Sequence, residues 1–76
     1  MNDSEVLAFV ERWASTYWHV EPVRMSIVGS PGRRSNYYEV EVVLPADTAI
    51  VRLELEEDGT LVVGGVLWPN EAGDEM

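Results

Sequence analysis

The sequence predicts an α+β fold: an N-terminal amphipathic helix packed on one face of a four-stranded antiparallel meander sheet. Three observations predict it. Apolar residues recur at helical spacing over roughly residues 4–18. After Pro22 the period of the apolar residues changes to two. The breaks between the alternating runs are short, so that strands adjacent in sequence pair with each other.

The helix comes first. Asn2, Asp3 and Ser4 all suit an N-cap, and Asn2 to Glu5 has capping-box spacing. Val6, Leu7, Phe9, Val10, Trp13, Ala14 and Tyr17 then fill one half of a helical wheel, with Trp18 at its edge. Glu5, Ala8, Arg12, Ser15, Thr16 and His19 fill the other half. Glu21-Pro22 ends any continuation, because the residue before proline is pushed out of the helical region.

The strands follow. Val23, Met25 and Ile27 alternate with Arg24, Ser26 and Val28 until Gly29-Ser30-Pro31-Gly32 and the polar run Arg33-Arg34-Ser35-Asn36. Tyr38, Val40, Val42 and Leu44 alternate with Tyr37, Glu39, Glu41 and Val43 up to a turn at Pro45-Ala46-Asp47. Ala49, Val51, Leu53 and Leu55 alternate with Ile50, Arg52, Glu54 and Glu56. Glu57-Asp58-Gly59 reads as a three-residue hairpin loop with glycine at the left-handed position. Leu61 and Val63 then face in, and Gly64-Gly65 bends or bulges a last strand that runs to Trp68. Residues 1–69 are expected to form one domain and 70–76 an acidic flexible tail.

One face of this sheet and one face of the helix are apolar, and packing them together is the economical way to bury both. The expected core joins Val6, Phe9, Val10, Trp13 and Tyr17 to Met25, Ile27, Val40, Val42, Val51, Leu53, Leu55 and Leu61. A buried Trp13 would make Trp13→Ala cost about 3–5 kcal/mol.

Composition narrows the functional classes. Fourteen acids stand against five arginines, a net charge of −9, with no lysine and no cysteine. Such a field repels nucleic acid and anionic membrane and attracts basic partners. Without cysteine there is no disulfide and no thiolate metal site. The acidic start Met1-Asn2-Asp3-Ser4-Glu5 lacks the pattern of a secretory signal, and no apolar run approaches the ~20 residues of a membrane span. A cytoplasmic protein is expected.

No catalytic constellation stands out, and the chain is not expected to be an enzyme or to hold a cofactor or metal. His19 could form an acid–base couple with Glu21, although a solvent-facing histidine near a helix C-terminus is the ordinary reading. Gly29-Ser30-Pro31-Gly32 with Arg33-Arg34 has the composition of an anion cradle but not the helix that such loops precede. Glu54, Glu56, Glu57 and Asp58 are the densest carboxylates. On a flat strand and a tight turn they would form a solvated edge rather than a shaped calcium loop.

The face turned from the helix is the more informative one. Val28, Tyr37, Val43, Ile50, Val62, Val66 and Trp68 are expected there, among Arg24, Glu39, Glu41, Arg52 and Glu54. Apolar residues ringed by charge are the pattern of a binding patch. The expected register sets Arg24, Glu41 and Arg52 in one charged row across three strands. Tyr37, Val43, Ile50, Val62, Trp68, Arg24, Glu41 and Arg52 are thus the candidate interface residues for a homodimer or a protein partner. A second reading is an acidic inhibitor, of the phage antidefence or immunity type, which sets Glu39, Glu41, Glu54 and Glu56 against a basic site on its target. A third places a small ligand between helix and sheet against Trp13, Tyr17 and Tyr38.

The order of helix, strand, Tyr38-Glu39-Val40-Glu41-Val42 and a hairpin at Asp58-Gly59 resembles the rhythm of PepSY domains over about residues 4–63. The resemblance is carried by generic strand residues. It implies a protease-associated module, typically secreted or membrane-attached, for which the sequence has no signal.

Overall fold

In the computed structural model, which describes residues 2–32 and 36–69, helix α1 (Asp3–Tyr17) precedes strands β1 (Arg24–Gly29), β2 (Tyr37–Val43), β3 (Thr48–Leu55) and β4 (Leu61–Leu67). The strands form one antiparallel sheet in the order β1-β2-β3-β4, the meander predicted from the short loops. Helix and sheet make the α+β arrangement read from the change of period. Arg33, Arg34, Ser35 and the expected tail at 70–76 lie outside the described residues.

Asn2 is the N-cap of α1, and its Oδ1 accepts a hydrogen bond from the Glu5 backbone N–H at 2.9 Å. Trp18 closes the other end, its N–H donating to the Ala14 carbonyl at 2.8 Å. His19 then takes φ 56°, the left-handed conformation that stops a helix and usually belongs to glycine.

The core is smaller and more aliphatic than the sequence suggests. Val6, Val10 and Ala14 of α1 are fully buried against Val40, Val42, Ala49, Val51 and Leu53, with Tyr38 and Leu61 at 8% exposure. Phe9, Trp13, Met25, Ile27 and Leu55 pack around this centre half-buried. Tyr17, expected in the core, is 67% exposed. Its direction on the wheel matches that of Val6 and Val10, but at ~1.5 Å rise per residue it lies about 16 Å beyond Val6 along the axis. The wheel reports direction and not reach. Trp13 is half-buried rather than central, so its truncation should cost less than a full core deletion.

Both later hairpins are closed by local chemistry. The loop after β2 is held by Leu44 N–H donating to the Asp47 carbonyl at 2.8 Å and Thr48 N–H donating to Asp47 Oδ1 at 2.7 Å. After β3, Gly59 N–H donates to the Glu56 carbonyl at 3.0 Å, and Glu56 N–H to the Thr60 carbonyl at 2.8 Å. Gly59 has φ 90°, the left-handed glycine expected at that position. Asp58 Oδ1 accepts from Thr60 N–H at 3.0 Å. These bonds to Thr60 hold the Asp58 carboxyl below its ordinary value of 3.8.

Each edge pairing carries an irregularity. β1 bulges between Ile27 and Gly29. The β3–β4 register shifts between Arg52 and Leu53, where Gly64 is the extra residue. An inserted residue reverses which face every later side chain takes. Val63 opposite Leu53 and Val66 opposite Val51 both therefore face the helix, while Leu67 opposite Ile50 faces away.

Candidate functional site

Alternation along the strands builds the face turned from the helix, which no element of the described residues covers. β2 contributes Tyr37, Glu39, Glu41 and Val43, and β3 contributes Thr48, Ile50, Arg52 and Glu54. Arg24 and Ser26 stand on β1 opposite Val43 and Glu41. Val62 and Leu67 complete the face on β4, 43% and 58% exposed.

At its centre Arg52 is held from two sides. Its Nη2 lies 3.8 Å from Glu39 Oε2, and its guanidinium carbon lies 4.5 Å above the Tyr37 ring centroid. A cation over an aromatic face with a carboxylate beside it is fixed in direction more than it is stabilised, because both charges remain wet. Two glutamates lie across glycines of neighbouring strands. A Cβ at Gly29 would stand 2.9 Å from Glu39 Oε1, and one at Gly64 would stand 2.6 Å from Glu54 Oε2. Glycine is what lets these carboxylates lie flat on the sheet.

The expected row Arg24–Glu41–Arg52 does not form. Glu41 stands between Ser26 and Ile50, Arg52 between Glu39 and Gly65, and Arg24 beside Val43. The Asp47 contacts centre the second hairpin between Pro45 and Ala46, so Glu41 meets Ile50 instead of Arg52, two residues further along β3. An even shift keeps every side chain on its face and changes only its partner.

Two expected members of the face are absent from it. Val66 packs against the core. Trp68 stands on the helix side, its ring 5.1 Å from that of Trp18, which in turn lies 4.8 Å from Trp13, with Tyr17 5.6 Å beyond. The four rings run in series along the end of the helix. The Gly64-Gly65 pair carried the signal for both corrections. A bulge there was legible, and carrying its reversal through residues 65–68 moves Val66 and Trp68 inward and Leu67 outward.

The other candidate chemistry does not converge. No hydrogen bond or ion pair joins His19 to Glu21. Among the described residues no three acids or histidines are grouped as metal ligands. Glu56 follows β3, and its N–H donates to the Thr60 carbonyl at 2.8 Å, which carries the ladder one pair beyond Leu55 and keeps Glu56 in step with Glu54, two residues away. Trp13 and Tyr17 line a shallow surface depression with Phe9, Arg12 and Thr16, whereas Tyr38 is in the core. No helix of the described residues is long and apolar enough to cross a membrane.

No family model, curated protein or solved structure matches the chain, so the likeness to PepSY domains remains one of element order.

Proposed function

We propose that this chain is a small cytoplasmic protein-binding module that acts through the uncovered face of its sheet, by docking rather than by catalysis. The observation that carries the reading is the make-up of that face. Tyr37, Val43, Ile50, Val62 and Leu67 are wholly or partly exposed on it, around an arginine already held in one direction by Glu39 and Tyr37. Exposed apolar residues around a pre-oriented charge suit docking, since little side-chain freedom remains to be lost on binding. The partner is a second copy related by a twofold axis or a different protein using the same residues.

Ile50→Arg tests it. Ile50 is half-exposed on the outer face of β3, so the substitution should leave the helix–sheet core folded. Light scattering after gel filtration should show the loss of a dimer, or a pull-down the loss of a partner. If the variant keeps its mass and its partners, binding lies elsewhere.

A second reading, the acidic inhibitor, draws support from Glu41 and Glu54, which make no ion pair among the described residues, and from the net charge of −9. Affinity for a basic target would then fall steeply with salt. A partner whose affinity hardly changes between low and moderate salt would remove this reading.

A further inference from the structure

The sheet has two edges, and they differ in kind. Each edge strand has a bulge, at Val28 on β1 and at Gly64 on β4, but only β1 also carries a charge, Arg24, which discourages another strand from pairing. β4 reads Leu-Val-Val-Gly-Gly-Val-Leu, with neither charge nor proline, and among the described residues nothing pairs with its far side.

The hydrogen-bond pattern says which backbone groups that side offers. Leu55 N–H donates to the Asn36 carbonyl at 2.7 Å and so points toward β2. Alternate residues of β3 do the same, and their partners across β4 form the pairs that exchange no hydrogen bond. Those partners are Leu61, Val63 and Val66. Their N–H and C=O groups are directed away from β3, to the open edge.

The surroundings select the occupant. Gly64 and Gly65 leave a shallow depression of about 250 Å³ on the outer face, bordered by Ile50, Arg52 and Leu67. Arg52 is paired with Glu39, but Glu54, whose carboxylate reaches across β4 at Gly64, has no cationic partner among the described residues. Glu56, Glu57 and Asp58 stand in the adjoining hairpin. A second copy pairing through the same edge would bring Glu54 near its twin and a charge of −9 against −9. A strand with cations on its outer side would instead supply the missing partner.

We infer that the β4 edge accepts an added strand from a partner protein, an extended segment with lysine or arginine at alternate positions on the side of the outer face. Main-chain bonds to Leu61, Val63 and Val66 hold it, and Glu54 selects its charge. The inference concerns the edge and stands whether or not the open face binds anything.

Two seven-residue peptides test it, one alternating valine with lysine and the other valine with glutamate. The readout is amide hydrogen exchange by NMR. The lysine peptide should slow exchange at Leu61, Val63 and Val66, and the glutamate peptide should not. Glu54 lies one strand in from the edge and reaches the peptide only across Gly64, so Glu54→Gln should weaken the lysine peptide about twofold, the low end for a cross-strand charge pair. Val62→Lys sets a cation directly opposite Glu54 at a 43% exposed position, so it preserves the fold and should weaken binding more than Glu54→Gln does, since it adds a like charge beside the peptide. Equal protection by both peptides overturns the proposal, as does unchanged affinity in Val62→Lys. So does a lysine peptide that shifts Glu39 and Glu41 signals without protecting the three amides. Protection that already rises with protein concentration in the absence of peptide would assign the edge to a second copy and overturn it equally.

Discussion

His19 is the one non-glycine residue with positive φ among the described residues, at 56°. A side chain there crowds its own carbonyl, at a cost of about 1–2 kcal/mol for most residues. His19→Gly should therefore stabilise the fold by about 0.5–1 kcal/mol, read from the urea midpoint, because glycine returns part of that gain as unfolded-state entropy. Asp58 makes a prediction about pH. Its folded carboxyl titrates below its ordinary value because Thr60 donates to the ionised form. A lowered acid contributes stability that is present above the unfolded value, near 4, and is lost as pH falls through the folded one. Asp58→Asn keeps an acceptor oxygen and removes the charge. The gap in urea midpoint between wild type and this variant should be constant above about pH 5 and should close as pH falls below 4. A gap that does not begin to narrow as pH falls below 4 would separate the effect from ionisation.

At the scale of the element, the last strand is governed by one residue. Gly64 is inserted against Arg52, and its insertion sends Val66 to the core and Trp68 to Trp18. Deleting Gly64 should restore uninterrupted alternation, turn Trp68 outward and red-shift the tryptophan fluorescence of the folded protein. The Trp18–Trp68 contact itself should show a coupling of about 0.5–1.5 kcal/mol in a double-mutant cycle, the usual range for an aromatic pair. Helix and strands were legible in the sequence because their signals are periodic: the Asn2 cap, the apolar stripe, the alternation of β2 and β3, and Gly59 in its hairpin. Partners across strands were not. Register depends on where a turn closes, and the contacts of Asp47 lie one peptide earlier than alternation alone suggests. The candidate face survived the shift because the error was even. Trp68 left that face because the bulge introduced an odd one. Tyr17 misled for a third reason, since no pattern of spacing states how far the sheet extends beneath the helix.

For the whole molecule the margin is narrow. A chain of 76 residues hides only roughly 60% of its unfolded surface, and each buried side chain carries a large share of the total. Leu53 is the largest fully buried one. Leu53→Ala should cost about 2–5 kcal/mol, enough to leave much of the protein unfolded at room temperature. Trp13→Ala, at a half-buried site, should cost less, about 1–3 kcal/mol, and stay folded. Both are read by urea unfolding, and a reversed order would mean that the tryptophan rather than the aliphatic centre organises the core. The charge acts in the same balance. At −9 the folded chain repels itself, so its melting temperature should rise between ~20 and ~500 mM salt as the Debye length shortens. A flat or falling curve would mean that local pairings outweigh the net field.

The meander has a consequence in time. Each strand lies beside its neighbour in sequence, so every loop that must close to form the sheet is short. Chains with such local pairings search less before their contacts begin to reward them. Two-stranded hairpins are marginal alone in water, however, and among the described residues the helix is the element that covers the apolar side of this sheet. Sheet and helix must then become stable together. The expected behaviour is a single fast exponential on refolding, with substitutions at Val6 or Val10 slowing its approach as much as those at Val40 or Val51.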